Sequence, residues 1–405
     1  MTSVIDTSVK YFTSDMSGAP ALSGTVGSLI ALLDACLKDG FDTKSLSSLT
    51  VAGGVATAAY TGSHSAAIDS VVLIAGVTGG PTGFAGLNGE QKITAKAPAG
   101  NSVSFATALP DGAYTGTITM KMAPLGWLKV YAGANKAVYK SADPASLGCY
   151  LRVDDTGTTV ARVVGYESMS DLDTGVGPFP SELQASGGGY WAKSSLANAT
   201  ATQWLISGDG RVFFLTNAVA RPSNANYLAS VTRGFGDPIT QKPGGDPYAC
   251  VLNCSISASP TTVAASDGSL DRRWDGSNNQ TFAPRTHTGL GSAVAQYART
   301  MTGSGAVASG QDPTLGVFPN ECVDGAIRMS RRAIVQIGFA GIRAFIPGVY
   351  HIPQDRLATT FSNFGRFTAT DGRRFIVMLT SSVTLDTAVS STFGVVPIDI
   401  TGPWR

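Results

Sequence analysis

The chain has 405 residues, 43% of them apolar, which is room for about two or three domains with cores of their own. Charged residues make up 14%, against ~25% in a typical soluble domain, and the net charge is +1. That balance excludes nucleic acid or an anionic membrane as an electrostatic partner, and a surface so poor in charge suits contact with other protein. An ordinary β-rich chain with many tight turns is the alternative, since glycine alone numbers 48.

Residues 1–22 are polar and irregular, an arm either disordered or held by a neighbouring subunit. The opening "MTSVIDTSVKYFTS" lacks the apolar centre of a signal peptide. In "SGTVGSLIALLDACLKDGF" the residues Val26, Leu29, Ile30, Leu33, Cys36 and Leu37 recur at helical spacing. Ser23 is the expected N-cap, Lys38 sits in the last turn and Gly40 is placed to end the helix.

From residue 48 short β-prone runs alternate with Gly, Pro and Asn-Gly turns, which predicts a small β-sandwich or partly open barrel. Within it, "GPTGFAGLNGEQK" places Gly80, Gly83, Gly86 and Gly89 three residues apart. Three triplets cannot sustain a collagen-like helix, and neither a P-loop nor a GxGxxG spacing is present. The stretch reads as a wide loop closing on an Asn88-Gly89 turn, long enough to reach a neighbouring subunit.

Two hairpins follow, around Asp155-Thr156-Gly157 and around Gly208-Asp209-Gly210. "PYACVLNCSIS" is another strand. The stretch 257–326 is irregular, with a short helix expected at "GSAVAQYARTM". Strands return in "AIRMSRRAIVQIGF", "RAFIPGVYHI", "RFTATDGRRFIVMLTSS" and "FGVVPIDITGPWR". The fold class is therefore mainly β, with several sandwich- or barrel-like modules and one N-terminal helix. The expected division is 1–46 (arm and helix), 47–130 (small β-sandwich), 131–256 (middle domain) and 257–405 (C-terminal domain), the last two able to form one. No run approaches the ~18 apolar residues of a membrane-spanning helix.

All eleven lysines lie at or before Lys242, and from Arg272 onward there are 13 arginines against eight acidic residues. Arginine suits protein interfaces better than lysine, and the change of usage near 243–271 marks a candidate boundary. The five cysteines (Cys36, Cys149, Cys250, Cys254, Cys322) have no zinc spacing and are expected to be buried and reduced.

No catalytic pattern is evident, and an enzyme is not expected. Ser63 and Ser65 flank His64 without a GxSxG context, and His351 ends an apolar strand. Asp154, Asp155, Glu167, Asp171 and Asp173 cluster in sequence, and "DLDTG" resembles the start of a calcium loop without its distal glutamate. Solvated turn aspartates are the simpler reading, so no metal or other cofactor is expected. Tyr190, Trp191, Trp204, Phe213 and Phe214 form an aromatic group that either packs a core or stacks on sugar, with Trp191, Trp204 and Tyr190 the residues for glycan or partner contact.

The closing "DGRRFIVMLT…GVVPIDITGPWR", with "AGLNGEQKITAKAPAGNSVSFATALPDGAYTG" and "LRVDDTGTTVARVVGYESMSD", resembles virion structural proteins of tailed bacteriophages. The resemblance implies a component present in many symmetric copies, assembled in the host cytoplasm, with itself and other virion proteins as partners. The tail tip or baseplate comes first. A receptor-binding or head-decorating protein contacting host-surface glycan is the alternative.

Overall fold

The computed structural model describes residues 3–219, 230–256, 281–299, 313–319, 325–336, 338, 341–380 and 394–405. The protein is mainly β, with a single α-helix and several sheets among the described residues. Much of the irregular stretch, together with Cys322, lies outside the described residues.

The α-helix spans Ser28–Leu33 and widens into a π-helical turn over Asp34–Asp39. Leu29, Leu33, Cys36 and Leu37 are buried as the spacing requires, each leucine contributing about 1.5–3 kcal/mol by leaving water. Two expectations fail at its start. Ser23 does not cap, because Leu22–Ser23 is drawn into a strand pairing with Ala201–Thr202, and Gly27 takes the N-cap position instead. Val26 consequently precedes the helix and is exposed. At the other end Gly40 has φ 72°, and a β-carbon there would lie 2.3 Å from the Met122 carbonyl oxygen, so only glycine fits.

A closed six-stranded barrel follows. Its first strand, Phe41–Ala52, starts six residues before the expected boundary at 47. At twelve residues it pairs with Thr119–Met122 along its first half and with Val55–Tyr60 along its second. The ring continues from Val55–Tyr60 through Ser102–Ala106, Gly89–Lys96 and Val71–Ala75 back to Thr119–Met122, which leaves no open sheet edge in the ring. Register shifts near Phe41/Lys44 and Leu46/Ser48 bend the long strand around the ring. Alternating Leu49, Val51, Ala56, Ala58, Phe105 and Met120 fill the interior.

Trp127–Gly133, Lys136–Ser141, Tyr150–Asp154, Val160–Tyr166 and Gly189–Ala192 form an antiparallel five-stranded sheet. The predicted hairpin at 155–157 joins its third and fourth strands.

The largest sheet begins with Lys10–Thr13, so the N-terminal arm is tied down by its own chain and not left free. Trp204–Gly208 and Val212–Asn217, the second predicted hairpin, come next, followed by Val231–Gly236, Val251–Asn253 and Thr281–Ala283. Val294–Arg299 then pairs on both sides as a strand, where a short helix was expected. Its Val, Tyr and alternating Gln296 and Ala298 favour a half-buried strand once two partners are present. Ser330–Gln336, Ile342–His351, Gly394–Asp399, Arg374–Thr380 and Arg366–Thr368 complete the order. The division at 256/257 thus falls inside one sheet.

Alternation along Val212–Asn217 sends Phe213 and Leu215 to one core and Val212 and Phe214 to another. The first core is shared with the five-stranded sheet, where Trp127 and Trp191 meet Phe213 edge-on at 5.1 and 6.0 Å. The second lies within the curl of the large sheet, where Tyr11, Leu205 and Phe214 face Ile334, Ile376, Ile398 and Trp404. Ser230 holds the curl by donating its N–H (2.7 Å) and hydroxyl (2.6 Å) to the Leu379 carbonyl.

Candidate functional site

The aromatic group is core. Trp191 and Trp204 are both 0% exposed. Their indole N–H groups donate to the Asn253 carbonyl (2.8 Å) and the Pro20 carbonyl (3.1 Å). A sugar cannot reach either face, which corrects the stacking assignment for these two residues. Tyr190 is partly exposed, but the Arg162 guanidinium lies 4.1 Å from its ring and donates to its hydroxyl at 2.7 Å.

In the glycine loop, Gly80, Gly83 and Gly89 have φ of 138°, 84° and 115°, and Gly86 lies in the 3-10 turn Phe84–Leu87. The expected Asn88-Gly89 turn is not formed: Asn88 is extended, with φ −69° and ψ 138°, and Gly89 opens the next strand. Asn88 instead clasps Val77, its amide donating to the Val77 carbonyl and accepting from the Val77 N–H, both at 3.0 Å. Gly79 and Thr115 exchange backbone hydrogen bonds, so the loop folds onto its own barrel and leaves Thr82 and Gly83 exposed.

Of the acidic residues, Asp154 and Asp173 meet on a shared pair of cations, Lys136 and Arg152, while Asp155, Glu167 and Asp171 turn elsewhere. Glu167 accepts both arms of Arg285, at 2.7 and 2.9 Å. Asp171 accepts the N–H groups of Asp173 and Thr174, while Asp173 pairs with Arg152. Asp154 holds Thr156 and lies 3.6 Å from Lys136. Among the described residues no three His, Cys, Asp or Glu side chains gather as for a metal ion.

Asp155 has a role no local pattern signals. From 126 residues away it caps the helix, accepting from the N–H groups of Leu29 (2.7 Å) and Ile30 (3.2 Å). Lys193 donates to its other oxygen at 2.5 Å, to the Thr25 carbonyl at 2.6 Å and to the Gly157 carbonyl at 2.9 Å. All three ammonium protons are thereby used. Burial pushes the Asp155 carboxyl up and the Lys193 ammonium down, while their mutual attraction opposes both shifts.

His64, Ser65 and Asp42 also meet, though not as a proton relay. Ser65 donates to Asp42 Oδ2 through its N–H (2.7 Å) and its hydroxyl (2.8 Å). His64 Nδ1 accepts the Ala66 N–H at 2.9 Å, which leaves the ring proton on Nε2, 3.9 Å from Asp42. The serine therefore addresses the carboxylate and not the imidazole, an arrangement that anchors a loop. The four described cysteines are buried and unbridged, and burial pushes the Cys254 thiol up to about 12.

Several of the late arginines join parts of this chain to one another. Arg343, 3% exposed, forks onto Asp246 at 2.8 and 3.3 Å and donates to the Arg285 and Tyr248 carbonyls. Arg374 pairs with Asp69 of the barrel at 3.1 Å, and Arg405 with Asp209 at 2.8 Å. The barrel answers with Lys92, which donates to the Ile400 and Thr401 carbonyls.

One hollow remains open beside the last strands. It has a volume of about 80 Å³ and is walled by Arg331, Tyr350, Arg373, Asp399, Pro403 and Trp404. Gly348, with φ 70°, lets the Trp404 indole lie directly on the backbone, since a β-carbon there would sit 2.0 Å from the ring. Arg373 donates to Asp371 at 2.7 Å and to the Tyr350 hydroxyl at 2.6 Å. No family model matches the chain, and no curated protein matches it.

Proposed function

We propose that this chain is a structural component of a tailed-phage virion, placed at the tail tip or baseplate and acting through symmetric protein–protein assembly. The observation that carries the reading is a set of exposed aliphatic side chains on loops bound to one another. Leu183 is 100% exposed, Leu290 72% and Val176 65%. Gln184 donates to the Ala293 carbonyl at 2.9 Å, and Glu167, which bonds Val176 through its backbone, pairs with Arg285. Large aliphatic groups held outward on tethered loops favour burial against another protein, and the low charged fraction agrees. The sequence resemblance points the same way.

A second reading, a receptor-binding virion protein, draws support from the hollow beside Trp404, whose volume of about 80 Å³ admits a small polar group. The experiment for the leading reading is to tag the chain in infected cells and image purified particles. Symmetric multi-copy density bearing the tag supports assembly. A chain that stays monomeric and is absent from particles overturns it.

A further inference from the structure

The donors around the hollow are not all used. The Arg331 side chain makes no hydrogen bond or ion pair among the described residues, and its guanidinium lies 5.8 Å from the Phe345 ring. It stands opposite Tyr350 in the register of neighbouring strands, so both side chains belong to the same wall. The Tyr350 hydroxyl accepts from Arg373, which leaves its own proton to be donated. Arg373 itself is largely neutralised, by Asp371 at 2.7 Å and by Asp399 at 3.9 Å. The uncompensated charge is therefore that of Arg331.

Beside this group, Asp399 asks for something else, its carboxylate lying 3.9 Å from Arg373. Asp399 is 3% exposed, one of its oxygens accepts the Thr401 N–H at 2.8 Å, and burial raises its carboxyl above the ordinary range. A bare anion entering the hollow meets this carboxylate. A ligand that carries an anion with neutral hydroxyl donors next to it satisfies both the donors and Asp399. Pro403 and the edge of the largely buried Trp404 add a small apolar contact. A volume of about 80 Å³ accepts several waters or the charged end of such a ligand.

We propose that this hollow binds the carboxylate edge of an acidic saccharide of the uronic acid class. Arg331 supplies the planar two-pronged contact to the carboxylate, the Tyr350 O–H a second donor, and Asp399 accepts from a ring hydroxyl. The site is separate from the buried Trp191 and Trp204, and the proposal does not rest on the assembly role.

The test is titration of the full chain with glucuronate, glucose, inorganic phosphate and a glutamate-containing peptide, monitored by calorimetry. Glucuronate is expected to bind saturably and at least about tenfold more tightly than glucose. Arg331→Gln, at an exposed side chain, should weaken glucuronate roughly ten- to a hundredfold, the worth of a charge-assisted hydrogen bond. Tyr350→Phe keeps the ring and should weaken it by a smaller factor. No glucuronate binding, equal affinity for glucose, tighter binding of phosphate or of the peptide, or indifference to Arg331→Gln each overturns the proposal.

Discussion

Lys193 Nζ lies 2.5 Å from Asp155 Oδ1, with both side chains buried, and the same carboxylate caps the helix over Ser28–Leu33 through its other oxygen. The pair thus joins the five-stranded sheet to the N-terminal segment. A buried ion pair gains little over a well-packed apolar pair, yet removing one partner strands the other charge. Lys193→Met should therefore cost about 3–5 kcal/mol in urea unfolding. The double variant Asp155→Asn with Lys193→Met should cost less than the sum of the two single changes. Additive losses contradict this coupling.

Trp191→Ala and Trp204→Ala each remove a fully buried indole and its hydrogen bond to a backbone carbonyl. Each should destabilise by about 3–5 kcal/mol, read from the denaturant midpoint. A variant with an unchanged midpoint would show that the indole is not packed as described.

Gly348→Ala places a β-carbon on the Trp404 ring at a left-handed backbone position. Strain alone is worth about 1–3 kcal/mol, and the indole must also move. The expected result is a lowered thermal midpoint with a shift in tryptophan emission. Neither change occurring would place Trp404 elsewhere.

His64 gives the chain a pH dependence. Burial holds its imidazole below the ordinary value of about 6.5, against the pull of Asp42 and with Lys96 and Lys44 adding to the depression. The unfolded chain then binds a proton that the folded chain refuses, so stability is present above about pH 6.5 and falls as pH drops toward the folded value. Asp69 and Asp399, whose carboxyls burial raises, act in the opposite direction at lower pH. The comparison that isolates the histidine is the slope of stability against pH for wild type and His64→Gln. The variant should be flatter below about pH 6.5. Identical slopes would rule the histidine out.

The hairpins at 155–157 and 208–210 are legible because alternation and turn residues are local signals, and the helix is legible for the same reason. What escapes the sequence is what depends on distant partners. Lys10–Thr13 looks irregular until Trp204–Gly208 supplies its hydrogen bonds, and Ser23 looks like a cap until Ala201–Thr202 draws it into a strand and Asp155 takes over the capping. Val294–Arg299 satisfies a helical pattern as well as a strand's, and its two neighbours decide. Trp191 and Trp204 carry no mark of burial in their sequence context. The hollow is equally hidden, because Arg331 and Trp404 come together only when the sheet curls.

The assembly reading turns on the loops bearing Val176, Leu183 and Leu290. Sedimentation of the purified chain, beside a Leu183→Glu and Leu290→Glu double variant of matched thermal stability, tests it most directly. The account predicts a discrete oligomer for the wild type and monomer for the variant, since both side chains point outward and the fold does not need them. A wild type that sediments as monomer and is missing from purified particles, or an oligomer untouched by the double change, contradicts it.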